Sequence, residues 1–287
     1  MNALTEVGLV TGREVKKNLR GVKGIILLAL SLIGGTAMAL LLVKFFLHKL
    51  EGVPAEAIRT TQEQMFTEAF HDKAMGTYLA DAPLALVVML NFSVWLAPAL
   101  IWLAGFDAIS GEVQHRTIRY WSVRTRRSSY YVGKFLGLWA TVGVMTFAMN
   151  ALMWIVTLAN GGYAAGAVLS WGIRFWMVSI PIVGAWCGVA VFVGSFFRAP
   201  VTSLLVVGFT FFGIFILGAI VPSVIMSVRQ NMEDTTAQIL AALYPNSYDR
   251  WLLSPRIEKA GVGLLACLAF MGVPTAAGAT LLQRRDV

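Results

Sequence analysis

Asp107, Ser110, Glu112, Arg116, Thr117 and Arg119 crowd into one short polar segment between two long apolar runs. Carboxylates, hydroxyls and guanidinium groups at this density could serve proton transfer, ion pairing or the docking of a charged partner. The wider stretch from Phe106 to Lys134 adds Arg124, Arg126, Arg127 and Lys134, so six cations face only Asp107 and Glu112. Catalysis is the weakest of these readings. His48, His71 and His115 all lie in loops, so a Ser–His pair inside a bilayer has no base. Cys187 and Cys267 fall in apolar runs, show no metal spacing, and read as buried structural thiols. Gly133-Lys134 is followed by Phe135 and lacks the upstream glycines of a phosphate-binding loop. Energy for any active transport must therefore come from another chain.

The elements that position this segment follow from composition. Of 287 residues, 57% are hydrophobic and 13% charged, whereas soluble domains carry about 25% charged residues. The chain reads as an all-α polytopic membrane protein, one transmembrane domain over residues 1–287. Positive-inside bias accounts for the net charge of +8, so nucleic acid is not expected as a partner. Ala37-Met38-Ala39 resembles a cleavage site, but the apolar run continues to Val43, which predicts an uncleaved first span.

Six runs approach the ~20 residues that cross a ~30 Å hydrocarbon core: 24–43, 84–106, 135–158, 175–197, 201–221 and 260–282. Backbone polar groups in lipid must bond within their own segment, so these runs are helices. With the N-terminus inside, inner segments hold 14 of 23 Lys and Arg and 5 of 15 acids, a net of +9 against −1 outside. Both termini are then cytoplasmic. Ahead of the first span, Arg13, Lys16, Lys17 and Arg20 form one helical stripe and Val15, Leu19 and Val22 another, which predicts an interfacial amphipathic helix. Ala55 to Met75 lacks Gly and Pro and predicts an outer amphipathic helix. Tyr244, Tyr248 and Trp251, near Pro245 and Pro255, suit the outer membrane interface.

The spans contain no charged residue or histidine, which argues against a proton-coupled pump. Asn91, Ser93 and Asn150 are their noticeable polar residues. Hydrogen bonds between helices are the plain expectation for them, and lining a translocation path is the functional one. Gly184 and Gly188 make a small-xxx-small pair. Pro98, Pro181 and Pro274 are positioned to kink their helices.

Residues 107–112 (DAISGE), then Thr117, then Ser128 to Lys134, resemble the first cytoplasmic loop of type-2 ATP-binding-cassette (ABC) exporter permeases. That family shows an ISGE stretch ending the second span, a basic stretch, and a GK opening the third. The basic N-terminus, six spans and terminal Arg284-Arg285-Asp286 are similar too. Where many relatives have Arg-Pro, this chain has Val123-Arg124, so the helix there can run further. The resemblance implies a short coupling helix between spans 2 and 3. It makes Asp107, Ser110, Glu112, Arg116, Thr117 and Arg119 the loop that meets a cytoplasmic ATPase. It also implies a homodimer in a bacterial inner membrane, with no cofactor in this chain and with ATP and Mg on the partner. Such permeases handle drugs, lipids, glycans, peptides and ions. Apolar spans lean toward a hydrophobic or amphipathic cargo, although helix packing gives the same composition. A stand-alone channel or an assembly scaffold is the alternative.

Overall fold

The computed structural model describes residues 2–42, 54–115, 117, 125–160, 163–229 and 234–284. Among them the chain is helical without strands, and six helices are long and apolar enough to cross a membrane. An N-terminal helix α1 (Ala3–Arg20) leads into α2 (Val22–Leu42), the first of the six. Two helices follow at the opposite end, α3 (Ala55–Phe70) and α4 (Lys73–Leu79). The outer helix predicted to reach Met75 is thus broken at His71, which adopts a left-handed φ of 49°. Asp72 restarts it by accepting from the Ala74 N–H at 3.0 Å, an N-cap.

Helix α5 (Leu84–Gly105) is the second span, and the short α6 (Ser110–Gln114) continues from its basic end. Next come α7 (Arg127–Ala159) and α8 (Ala165–Gly194), both longer than their apolar runs predict. Helix α9 (Pro200–Phe215) starts with proline at its first turn, where the missing N–H costs nothing. It passes through a π-turn, Ile216–Ile220, into α10 (Val221–Arg229). Helix α11 (Thr235–Ala241), a 3₁₀ turn (Pro245–Tyr248) and α12 (Asp249–Leu253) precede the last span, α13 (Ile257–Arg284).

Span α8 is the most buried of the six and forms the centre, with α5, α7 and α13 against it. Gly184 and Gly188 do mark a crossing: they face Met271 and the Phe270 carbonyl of α13. Asn91, Ser93 and Asn150 do not bond between helices. Each satisfies its polar group within its own helix, on Val87, on Met89 and Leu90, and on Thr146. The cause is local: a short polar side chain on a helix reaches the carbonyl one turn back without help from a neighbour.

Prolines shape the other end. Pro98 has no N–H, so the Val94 carbonyl one turn back loses its helical partner. Asn246 Nδ2 fills that vacancy at 3.1 Å, and Asn246 Oδ1 accepts from the buried Trp186 Nε1 at 2.7 Å. Val94 lies about 15 Å along α5 from its Leu84 end, so the segment around Asn246 enters to half the depth of the bundle. Within the aromatic cluster expected at the outer interface, Tyr244 packs inward against the rings of Trp186 and Phe215, whereas Trp251 is exposed. Pro222 explains the π-turn. It cannot donate to Gly218, and the Val221 N–H bonds instead to Ile216, one residue further back. Gly218 there has Tyr244 so close that a Cβ would sit 2.5 Å from the Tyr244 Cβ.

Candidate functional site at the basic end of the helices

Three segments distant in sequence meet where α1 crosses α7. The face of α1 turned inward is Glu6, Val10 and Glu14, not the Val15–Leu19–Val22 stripe, while Arg13, Lys16, Lys17 and Arg20 stay exposed. Gly133 and Gly137 permit the approach, because a Cβ at either would lie 2.6 Å from Val10 Cβ or 2.5 Å from Glu14 Cβ. At this crossing Lys134 is only 1% exposed. Its ammonium donates to Glu14 Oε2 at 2.6 Å and to Glu112 Oε1 at 2.5 Å. Tyr130, one turn earlier on α7, donates to Glu112 Oε2 at 2.7 Å. Glu14 and Glu112 are 4% and 7% exposed, and the half-exposed Lys17 lies 3.9 Å from Glu112.

Two buried carboxylates thus share one buried ammonium, and α1, α6 and α7 move as one unit or break the network. Opposite charges in such a setting are worth keeping only with further hydrogen bonds, which Tyr130 supplies. Glu6 adds a second tie: its carboxylate accepts from the Arg126 N–H at 3.1 Å, at the N-terminus of α7. That backbone donor holds the Glu6 carboxyl below the usual range. Lys23, at the start of α2, donates to Asp107 at 2.5 Å and to the Ala104 carbonyl at 2.9 Å, and lies over the Phe106 ring. Ser110 and Ser203 both donate to the Phe106 carbonyl, linking α6 and α9 to the end of α5. Arg127 reaches the Leu282 and Gln283 carbonyls at the end of α13, where a cation meets the negative end of the helix.

The residues singled out from sequence fall as follows. Asp107, Ser110 and Glu112 sit in this assembly, Glu112 turned inward rather than toward solvent. Thr117 is exposed and donates to the Glu112 carbonyl at 3.3 Å. Arg116, Arg119 and the Val123-Arg124 position lie outside the described residues. Asn91 faces a cavity at the other end, while Ser93 and Asn150 are buried. Glu6, Glu14, Tyr130 and Asn246 were not singled out. Glu6 and Glu14 carry a readable signal, two acids at helical spacing on a helix otherwise rich in cations.

Six apolar helices with an ionic junction at one end define a polytopic membrane protein. The chain belongs to the ABC-2 family transporter proteins, whose family model matches residues 9–287. Proteins of this family are membrane components of transporters, generally without an ATPase site of their own. No curated protein matches the chain.

Proposed function

We propose that this chain is the transmembrane half of an ABC exporter, driven by a separate cytoplasmic ATPase that docks on the basic end. The observation that carries the proposal is the Glu14–Lys134–Glu112 junction. A force applied to α6 or α1 reaches α7 through buried ion pairs rather than through a flexible loop. The ATPase binds Mg and ATP, and its closure displaces α6 and the N-terminal helix. The exposed cations of α1 rest on anionic headgroups. Two copies pair to form the translocation path, in a bacterial inner membrane with both termini cytoplasmic. Asp107, Ser110, Glu112 and Thr117 act mainly by setting the shape of the docking end, and Arg116 and Arg119 supply its charge.

Purification from its native membrane, with any ATPase that accompanies it and after that ATPase is removed, tests this. The isolated chain should hydrolyse no ATP, and the complex should contain two copies of each subunit. Robust hydrolysis by the isolated chain, or a stable chain that captures no ATPase, would favour the channel or scaffold.

A further inference from the structure

The end opposite the ionic junction holds a cavity of about 850 Å³, within the range of small-molecule sites. Its walls come from α5, the π-turn and α10, and the segment that enters beside Asn246. Four aromatic side chains, Trp95, Tyr244, Tyr248 and Trp251, line it, with Trp95 and Trp251 substantially exposed. One carboxylate, Asp249, lies among them, three residues beyond Asn246 and partly accessible to solvent. It accepts only from the Arg250 backbone N–H, and among the described residues no cationic side chain pairs with it. Desolvation pushes its carboxyl up to about 6, although the cavity leaves it partly accessible. The adjacent Arg250 charge acts on it without forming a salt bridge, and it faces aromatic walls whose π-faces attract cations.

We propose that this cavity binds an amphipathic organic cation, with Asp249 as its counter-ion and the aromatic walls around its apolar body. This rests on the exporter reading, which it deepens by naming the cargo class. Arg250 opposes such a ligand. Its side chain lines both this cavity and a neighbouring one of about 310 Å³, where Asp72 is already paired with Lys259 at 2.9 Å. The two adjacent residues therefore make opposite predictions. An anionic cargo would need Arg250 and be repelled by Asp249. A cationic cargo needs Asp249 and gains when Arg250 is neutralised.

Tetraphenylphosphonium and tetraphenylborate, matched in size and opposite in charge, are the probes. Equilibrium binding is measured on the purified full-length chain in detergent, without any ATPase. Asp249→Asn should weaken tetraphenylphosphonium about tenfold or more, Asp249→Glu should restore most of it, and Arg250→Gln should tighten it. Tetraphenylborate should not compete. Unchanged affinity in Asp249→Asn, or preferential binding of tetraphenylborate lost in Arg250→Gln, would overturn the proposal. A variant that misfolds is recognised by its elution profile, and Arg250→Gln alone then decides the sign. Because the assay needs no nucleotide, the site and the exporter reading fail separately. Binding that persists with no ATP-dependent release in the complex sinks the exporter; ATP coupling without cation binding sinks the site.

Discussion

The two ends of the helix bundle are held by different physics. At the basic end, Lys134 lies between Glu14 and Glu112 with almost no access to water, and removing it leaves two buried carboxylates without their shared cation. At the other end, Asn246 joins α5 and α8 with neutral hydrogen bonds, beside a cavity and a π-turn. Losing neutral bonds costs less, and the vacancy can fill with water or ligand. On the exporter function proposed above, this asymmetry supplies a stiff handle where force would enter and a looser gate where cargo would leave.

The largest effect should come from charge reversal in the junction. Read from sequence, Glu112 is a loop residue outside the spans that meets the ATPase, and its reversal to Arg leaves span packing largely intact. Its burial against Lys134 revises that expectation. Glu112→Arg places a guanidinium beside Lys134 and Lys17, and should lower stability by about 3–5 kcal/mol, the usual cost of breaking a buried pair. Thermal unfolding followed by fluorescence of the purified chain, and abundance in the membrane, check this. Equal abundance of Glu112→Arg and parent would mean that the junction is not a closed network.

The next effect tests the neutral end. Asn246→Ala leaves the Val94 carbonyl and the Trp186 N–H without partners, at a cost of about 1–3 kcal/mol. Pro98→Ala restores a backbone N–H for Val94, so the double variant should recover part of the loss. A double-mutant cycle with coupling near zero would show that Asn246 does not serve the carbonyl that Pro98 frees.

A smaller effect concerns pH. The Arg126 N–H lowers the Glu6 carboxyl in the folded chain, so the unfolded state binds more protons as pH falls. The stabilising contribution is then complete above the unfolded carboxyl value, about 4.3, and is lost as pH falls through the lower folded one. Glu6→Gln should flatten the acid limb of stability against pH, lowering stability at neutrality and changing little at low pH. An acid limb identical to that of the parent would remove Glu6 as the cap of α7.

The spans were legible because lipid enforces a simple rule, and the runs 84–106 and 201–221 announce it in composition alone. Their ends were not. Lys134 and Glu112 read as loop charges, since their burial depends on Glu14, which stands 120 residues from Lys134. On α1 the stripe of cations marks what is exposed, while hydropathy favours Val15 and Leu19 over the acidic face that packs. The entry of Asn246 into the bundle was hidden for a related reason: local aromatic content resembles an interface belt. Pro98 carried the missing clue, because a proline within a span leaves a carbonyl that some donor must reach.

The most direct test of the account removes the charges of the junction while keeping it filled. Glu14→Gln, Glu112→Gln and Lys134→Met together take away two carboxylates and one ammonium, and replacing a buried ion set by neutral groups of similar size is often tolerated. The quantity to measure is ATP hydrolysis by the purified ATPase complex, with and without cargo, at matched subunit content. The account predicts that the triple variant assembles with the ATPase but no longer changes its hydrolysis rate in response to cargo. Cargo-stimulated hydrolysis equal to that of the parent would contradict it, and would place the coupling outside the Glu14–Lys134–Glu112 junction.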